Sequence, residues 1–145
     1  MLPDLHTHLR DLTMPYLVAI GVCAILGHTF SAFLRFRGGK GVATSFGALL
    51  ALSPPVGIIG FLTWAAMLLI TRYVSVASLT ASYSLPFAAH FTLDGIDRTW
   101  MLWLGVVLSV LVTIKHRGNI HRLLNGTESK IGERVNTTTD EARAQ

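Results

Sequence analysis

Of 145 residues, 51% are hydrophobic and 14% charged, with a mean hydropathy of +0.52, a balance that excludes an ordinary water-soluble domain and points to a membrane protein. The formal net charge of +4 gathers in two clusters beside apolar runs, Arg35 to Lys40 and Lys115 to Arg122; such clusters suit anionic headgroups or phosphorylated substrates, and no nucleic acid is expected as a partner. A single cysteine, Cys23, rules out a disulfide framework and a cysteine metal site.

In chain order, Met1 to Met14 is mixed and polar, without the basic start and small-residue cleavage site of a signal peptide, so no processing is expected there. Apolar stretches follow at Pro15 to Leu34, Val42 to Leu52, Val56 to Ile70, Val74 to Phe91 and Thr99 to Ile114. A helix needs about 20 residues to cross the hydrocarbon core, so these are short spans, and Val42 to Leu52 is about half a crossing. The predicted fold is an all-α integral membrane protein, a polytopic bundle of about five apolar helices with one short or broken. Its membrane domain covers residues 15–132, between a polar segment (1–14) and a polar tail (133–145).

Ser53-Pro54-Pro55 must break the helix, because proline lacks the amide hydrogen and restricts the residue before it. The connections then alternate in charge. Ser53 to Pro55 is uncharged and Thr92 to Arg98 slightly acidic, whereas both basic clusters and the turn at Arg72 fall on the other side, the cytoplasmic one by the positive-inside tendency. Ala77 and Ala81, Ser78 and Ser82, and Gly105 and Ser109 are small residues four apart, the spacing of close helix packing. Trp100 and Trp103 read as an interfacial anchor.

The segment FRGGKGVATSFG, from Phe36 to Gly47, joins a glycine-rich turn to an apolar helix. It is not a Walker A loop, since Gly41 follows Lys40 where Ser or Thr belongs, and Thr44 stands where a dinucleotide fingerprint needs its third glycine. Gly38, Gly39 and Gly41 nevertheless let backbone amides approach an anion, the helix beginning near Val42 aims its N–H groups at the same spot, and Lys40 adds a charge. Thr44 or Ser45 can add a hydroxyl. The alternative reading is a basic turn between two membrane helices. His28, closing an apolar run, either anchors the interface or hydrogen-bonds a neighbouring helix.

The second cluster, Lys115 to Arg122, leaves the last span and runs into LLNGTESK. On a helix His116, Asn119 and Arg122 share a face, with Ile120, Leu123 and Leu124 turned toward lipid or protein. That face binds a ligand or forms a headgroup-binding amphipathic helix. His116 and His121 are five apart, out of line for a shared metal, and His6 and His8 lie in the polar start, so no metal site is expected.

LGHTFSAFLRFRGGKGVATSFG (Leu26 to Gly47) resembles the second signature of the bacterial membrane glycerol-3-phosphate acyltransferases of the PlsY type, and KHRGNIHRLLNGTESKIG (Lys115 to Gly132) resembles their third. The resemblance runs from about Pro15 to Gly132. It implies an inner-membrane enzyme of phospholipid synthesis that moves a fatty acyl group from acyl-phosphate to glycerol 3-phosphate, releasing lysophosphatidic acid and phosphate with no cofactor. Carried over, Gly38, Gly39, Gly41, Thr44, Ser45 and Arg117 would bind phosphate and Lys40 would neutralise it. His116 and Asn119 would lie at the reacting end, with His28 and Glu128 in support. The family's first signature, a Ser/Gly/Asn-rich segment, has no counterpart, so an upstream polypeptide supplying it is an expected partner. A non-catalytic membrane fragment, or a subunit that binds anionic lipid or completes a helical assembly, is the alternative. Half of a transporter fits less well, since Val42 to Ile70 has no ionisable residue.

Overall fold

Pro54 and Pro55 cannot continue a helix from behind, yet their restricted φ suits a helix's first turn. Helix α2 (Val42–Leu52) therefore stops and α3 (Pro54–Thr71) begins with only Ser53 between them, in extended conformation. A Cβ on Gly57 would lie 2.8 Å from Leu50 Cδ2 and 3.0 Å from Leu50 N, so a side chain of any size would force these two helices apart.

The computed structural model describes residues 2–30 and 39–132, and among these it contains α-helices and no strand. Besides α2 and α3, they are α1 (Leu2–Thr29), α4 (Val74–Thr92), α5 (Gly95–Lys115) and the short α6 (Arg117–Leu124). Three helical segments, Leu12–Thr29, Pro54–Thr71 and Gly95–Lys115, are long and apolar enough to cross a membrane, and α2 is a shorter apolar helix of 11 residues. The all-α bundle expected from the sequence is thus found, with its short member where the proline pair dictates. The first helix differs from expectation. It begins at Leu2 rather than Pro15, passes through Pro15, and ends at Thr29. A proline inside a helix removes one hydrogen bond, which a membrane helix tolerates because neighbouring turns keep their own.

Helix α4 contains a second internal proline, and here the structure shows the compensation. Pro86 has no N–H for the carbonyl of Ser82, one turn earlier. The Ser109 hydroxyl of α5 lies 2.8 Å from that carbonyl and 2.8 Å from the Gly105 carbonyl of its own helix, and shares its one proton between them. Gly105, one turn before Ser109, makes the approach possible: a Cβ there would lie 3.0 Å from Pro86 N. The Gly105/Ser109 pair thus does what its spacing predicts, bringing two backbones together.

Ile25, Leu49, Val56, Leu85, Met101, Leu104 and Leu108 fill the interior. Tyr16, Ile20, Leu69, Phe91 and Trp103 face outward, an apolar exterior that lipid accepts and water would not. Because the helices alternate in direction, the ends of α1, α3 and α5 and the starts of α2 and α4 meet at one end of the bundle. Lys115 Nζ donates to Thr29 O at 3.2 Å, and Lys40 Nζ reaches Asn119 Oδ1 at 2.8 Å. Lys40, from the first basic cluster, and Lys115 and Asn119, from the second, thus converge there although far apart in sequence.

Candidate active site

The turn into α2 is built on glycine. Gly41 caps the helix with φ 73°, a left-handed conformation that costs other residues strain, and its carbonyl accepts the first helical bond, from Ser45 N at 2.8 Å. A Cβ at Gly41 would lie 2.5 Å from Thr29 Oγ1, and one at Gly39 would lie 3.1 Å from His28 Nε2. The end of α1 thus presses against this turn. The N–H groups of Val42, Ala43 and Thr44 have no partner inside the helix and carry its positive dipole end. Thr29 is fully buried, and its Oγ1 has no hydrogen-bond partner among the described residues.

Across from the turn, α6 ends in a Schellman motif. Gly126 takes φ 68°, Gly126 N donates to Leu123 O at 3.1 Å, and Thr127 N donates to Arg122 O at 2.8 Å. The chain doubles back and returns Glu128 to the α6 face that carries Asn119 and Arg122. Asn119 Nδ2 donates to Glu128 Oε1 at 2.6 Å, Ser75 Oγ donates to the same oxygen at 2.8 Å, and Arg122 Nε donates to Oε2 at 2.7 Å. A carboxylate only accepts and an ammonium only donates, so Asn119 must turn its NH₂ to Glu128 and its oxygen to Lys40. The result is a directed chain, Lys40 to Asn119 to Glu128. Burial pushes the Glu128 carboxyl upward, but the bonds from Asn119, Ser75 and Arg122, with the Arg122 charge, outweigh it and hold the group below the ordinary carboxylate value.

His116 sits at the junction of α5 and α6 and is almost wholly buried, with 1% of its surface exposed. Its Nδ1 lies 2.8 Å from the Val112 carbonyl, which only accepts, so Nδ1 carries the proton and Nε2 is an acceptor. Burial lowers its pKa, partly opposed by the Val112 bond; Lys40 lowers it further and Glu128 raises it, with a net fall. The imidazole is therefore neutral near pH 7.

Below this polar cluster lies a cavity of about 330 Å³ between α2, α3, α4 and α5. Val42 and Val112 line it near the site, and Leu49, Gly60 and Leu85 line it deeper in the bundle. Its walls are nearly all apolar. The volume is within the range of small-molecule sites.

Lys40, Asn119, Glu128 and His116 thus come together, with His28 and Gly39 at the adjoining turn. Thr44 is half-buried in the first turn of α2, whereas Ser45 is buried and lines the apolar cavity. Arg117 is exposed beside His116. Gly38 is outside the described residues. Sequence reasoning did not single out Thr29 or Ser75. Thr29 stands inside the Leu26 to Gly47 stretch, but nothing local marks Ser75, whose role depends on Glu128 53 residues away. Among the described residues, no three His, Cys, Asp or Glu side chains gather in a metal-binding arrangement.

Residues 2–126 match the family model described as glycerol-3-phosphate acyltransferase. The chain is 44% identical over 112 residues to the glycerol-3-phosphate acyltransferase of Carboxydothermus hydrogenoformans, covering 77% of this chain and 56% of that one. It is 45% identical over 117 residues to that of Rhizobium meliloti, covering 81% and 56%. Its structure is similar to the crystal structure of PlsY, an integral membrane glycerol 3-phosphate acyltransferase, in the glycerol 3-phosphate form, with a TM-score of 0.67 and 39% identity over 86% of this chain and 57% of that one. The lysophosphatidic acid form of PlsY matches with a TM-score of 0.67 and 40% identity. The chain therefore spans a little over half the length of these relatives.

Proposed function

From the premise that this chain belongs to the glycerol-3-phosphate acyltransferase family, we propose that it transfers a fatty acyl group from acyl-phosphate to a hydroxyl of glycerol 3-phosphate. The observation that carries this reading is the junction of two environments at one end of the bundle. A cationic, glycine-built turn tied to Asn119 meets an apolar cavity, and an acyl-phosphate needs both, an anion site for its head and a greasy slot for its tail. Gly39, Gly41, the Thr44 region and Arg117 hold phosphate, with Gly38 joining the same cradle by sequence. Lys40 neutralises the charge. The Thr29 hydroxyl, without a partner among the described residues, adds a donor at the cradle's edge. The acyl chain lies along Val42, Leu49, Leu85 and Val112.

The donor is a mixed anhydride and is already activated, so orientation and charge stabilisation supply most of the catalysis. The substrate hydroxyl oxygen bonds to the acyl carbon, the carbon–oxygen bond to phosphate breaks, and the hydroxyl proton ends on the departing phosphate. His116, neutral and with Nε2 as acceptor, is our candidate to carry that proton between them. No covalent intermediate is required. The membrane is the bacterial inner membrane, with the basic end toward the cytoplasm, a reading supported by Lys40, Arg72, Lys115 and Arg122 at that end.

Phosphate release from acyl-phosphate by the purified chain in detergent tests the proposal, alongside a chain extended upstream. Release that depends on glycerol 3-phosphate and disappears in Lys40→Ala supports it. Binding of anionic lipid without turnover in either chain would replace it with a lipid-binding role.

A further inference from the structure

We infer that Arg72, at the far edge of the site, is a positioning residue that sets the Lys40–Asn119–Glu128 chain by clamping the strap that carries Glu128. This inference rests on the acyltransferase reading for its kinetic consequence, and on geometry for the clamp itself.

Arg72 is the only non-glycine residue with positive φ among the described residues, at 61°. It caps α3 in the left-handed conformation, where glycine is the usual occupant because it meets no steric cost. Capping alone does not require arginine: the backbone N–H closes the helix by donating to Leu68 O at 2.8 Å, and the side chain is exposed. The side chain is used elsewhere. Its Nη2 and Nε donate to Ile131 O at 2.8 and 3.2 Å, while the Arg72 carbonyl accepts from Ile131 N at 2.9 Å. Ile131 is therefore held through both of its backbone groups by one residue, 59 positions earlier. The following Gly132 has φ 78°, and a Cβ there would lie 3.0 Å from Arg72 Nη2, so glycine permits the approach. Lys130 adds its ammonium over the Tyr73 ring, 5.4 Å from the centroid.

The stretch from Asn125 to Ile131 is thus a strap fixed at both ends. One anchor is the Schellman turn at Gly126; the other is Arg72. Glu128 stands between them, and its two oxygens receive Ser75, Asn119 and Arg122. Released at the Arg72 end, the strap would pivot on Gly126, and Glu128 would lose the position from which it selects the Asn119 orientation that faces Lys40. A cation positioned in advance stabilises developing charge without reorganising, and that advantage is lost when it wanders.

The test compares the full chain with Arg72→Gly, Arg72→Lys, Glu128→Gln and the Arg72→Gly/Glu128→Gln double variant in detergent. Glycine accepts the left-handed φ, so Arg72→Gly is expected to keep its thermal midpoint. We expect kcat/KM for glycerol 3-phosphate to fall about tenfold in Arg72→Gly, with partial recovery in Arg72→Lys. The double variant should be no slower than Glu128→Gln alone, since both act through one chain. Unchanged turnover in Arg72→Gly, or losses that simply multiply in the double variant, would overturn the inference. Amide hydrogen exchange over residues 125–131 reads the clamp without catalysis. Faster exchange in Arg72→Gly supports it and equal exchange overturns it, so absence of turnover in the unmodified chain would count against the acyltransferase reading alone.

Discussion

Lys40 Nζ donates to Asn119 Oδ1 across 2.8 Å although 79 positions separate the two residues. This bond joins the glycine turn before α2 to the helix that leaves the last span, and so makes one site of two sequence motifs. Lys40→Met should therefore remove both the phosphate charge and the link. Loss of a preorganised group of this kind lowers kcat by about a hundredfold or more, which phosphate release will measure. Lys40 is exposed, so the thermal midpoint should change little.

Gly41→Ala tests the turn itself. The left-handed φ alone costs about 1–2 kcal/mol, and the new Cβ would meet Thr29 Oγ1 at 2.5 Å. A lower thermal midpoint and loss of activity are expected. Thr29→Ala in the same chain should recover part of the stability, by removing the clash and not the strain.

The pH dependence of stability follows from two depressed pKa values. Burial lowers His116, and the bonds donated to Glu128 outweigh its burial, so both groups are held below their ordinary values of about 6.5 and 4.3. In each case the unfolded chain binds protons more readily. The contribution is complete above the ordinary value and is lost as pH falls through the folded one. Thermal midpoints should decline first as pH drops below about 6.5 and again in the carboxylate range. His116→Gln should flatten the first decline and Glu128→Gln the second; profiles that match the unmodified chain would contradict this.

The cavity predicts chain-length preference. Leu85 lines its deeper part, and a Cβ on Gly60 would lie 2.8 Å from Leu85 Cδ2. Leu85→Ala should favour longer acyl-phosphates, at a stability cost of about 2–5 kcal/mol. Gly60→Ala should push Leu85 aside and favour shorter ones. Competition among acyl-phosphates of graded length reads both shifts.

Ser109→Ala tests the compensation for Pro86. It removes the hydroxyl that shares its proton with the Ser82 carbonyl, which Pro86 cannot serve. A loss of about 1–2 kcal/mol is expected, measured by thermal or denaturant unfolding in detergent.

Much of this protein is readable locally. Apolar composition determines the lipid-facing exterior, Ser53-Pro54-Pro55 determines the break between α2 and α3, and Gly41 marks the left-handed start of a helix whose N–H groups are unpaired. Such features depend on a residue's own backbone and on neighbours within a turn or so, and the chain's order records them directly. Pro15 misled because a proline reads the same whether it opens a helix or is carried through one. Ser45 read as a possible phosphate donor, yet helix α2 turns it toward the apolar cavity.

Only the tertiary structure decided the site's wiring. Lys40 with Asn119, Ser75 with Glu128 and Arg72 with Ile131 pair across 79, 53 and 59 positions, through side chains that carry no periodic signal. Their pairing follows from the alternating direction of the helices, which brings those termini to one end, and from the Gly126 turn that folds the strap back. Packing of the whole bundle selects such contacts, because no short stretch of chain holds both partners.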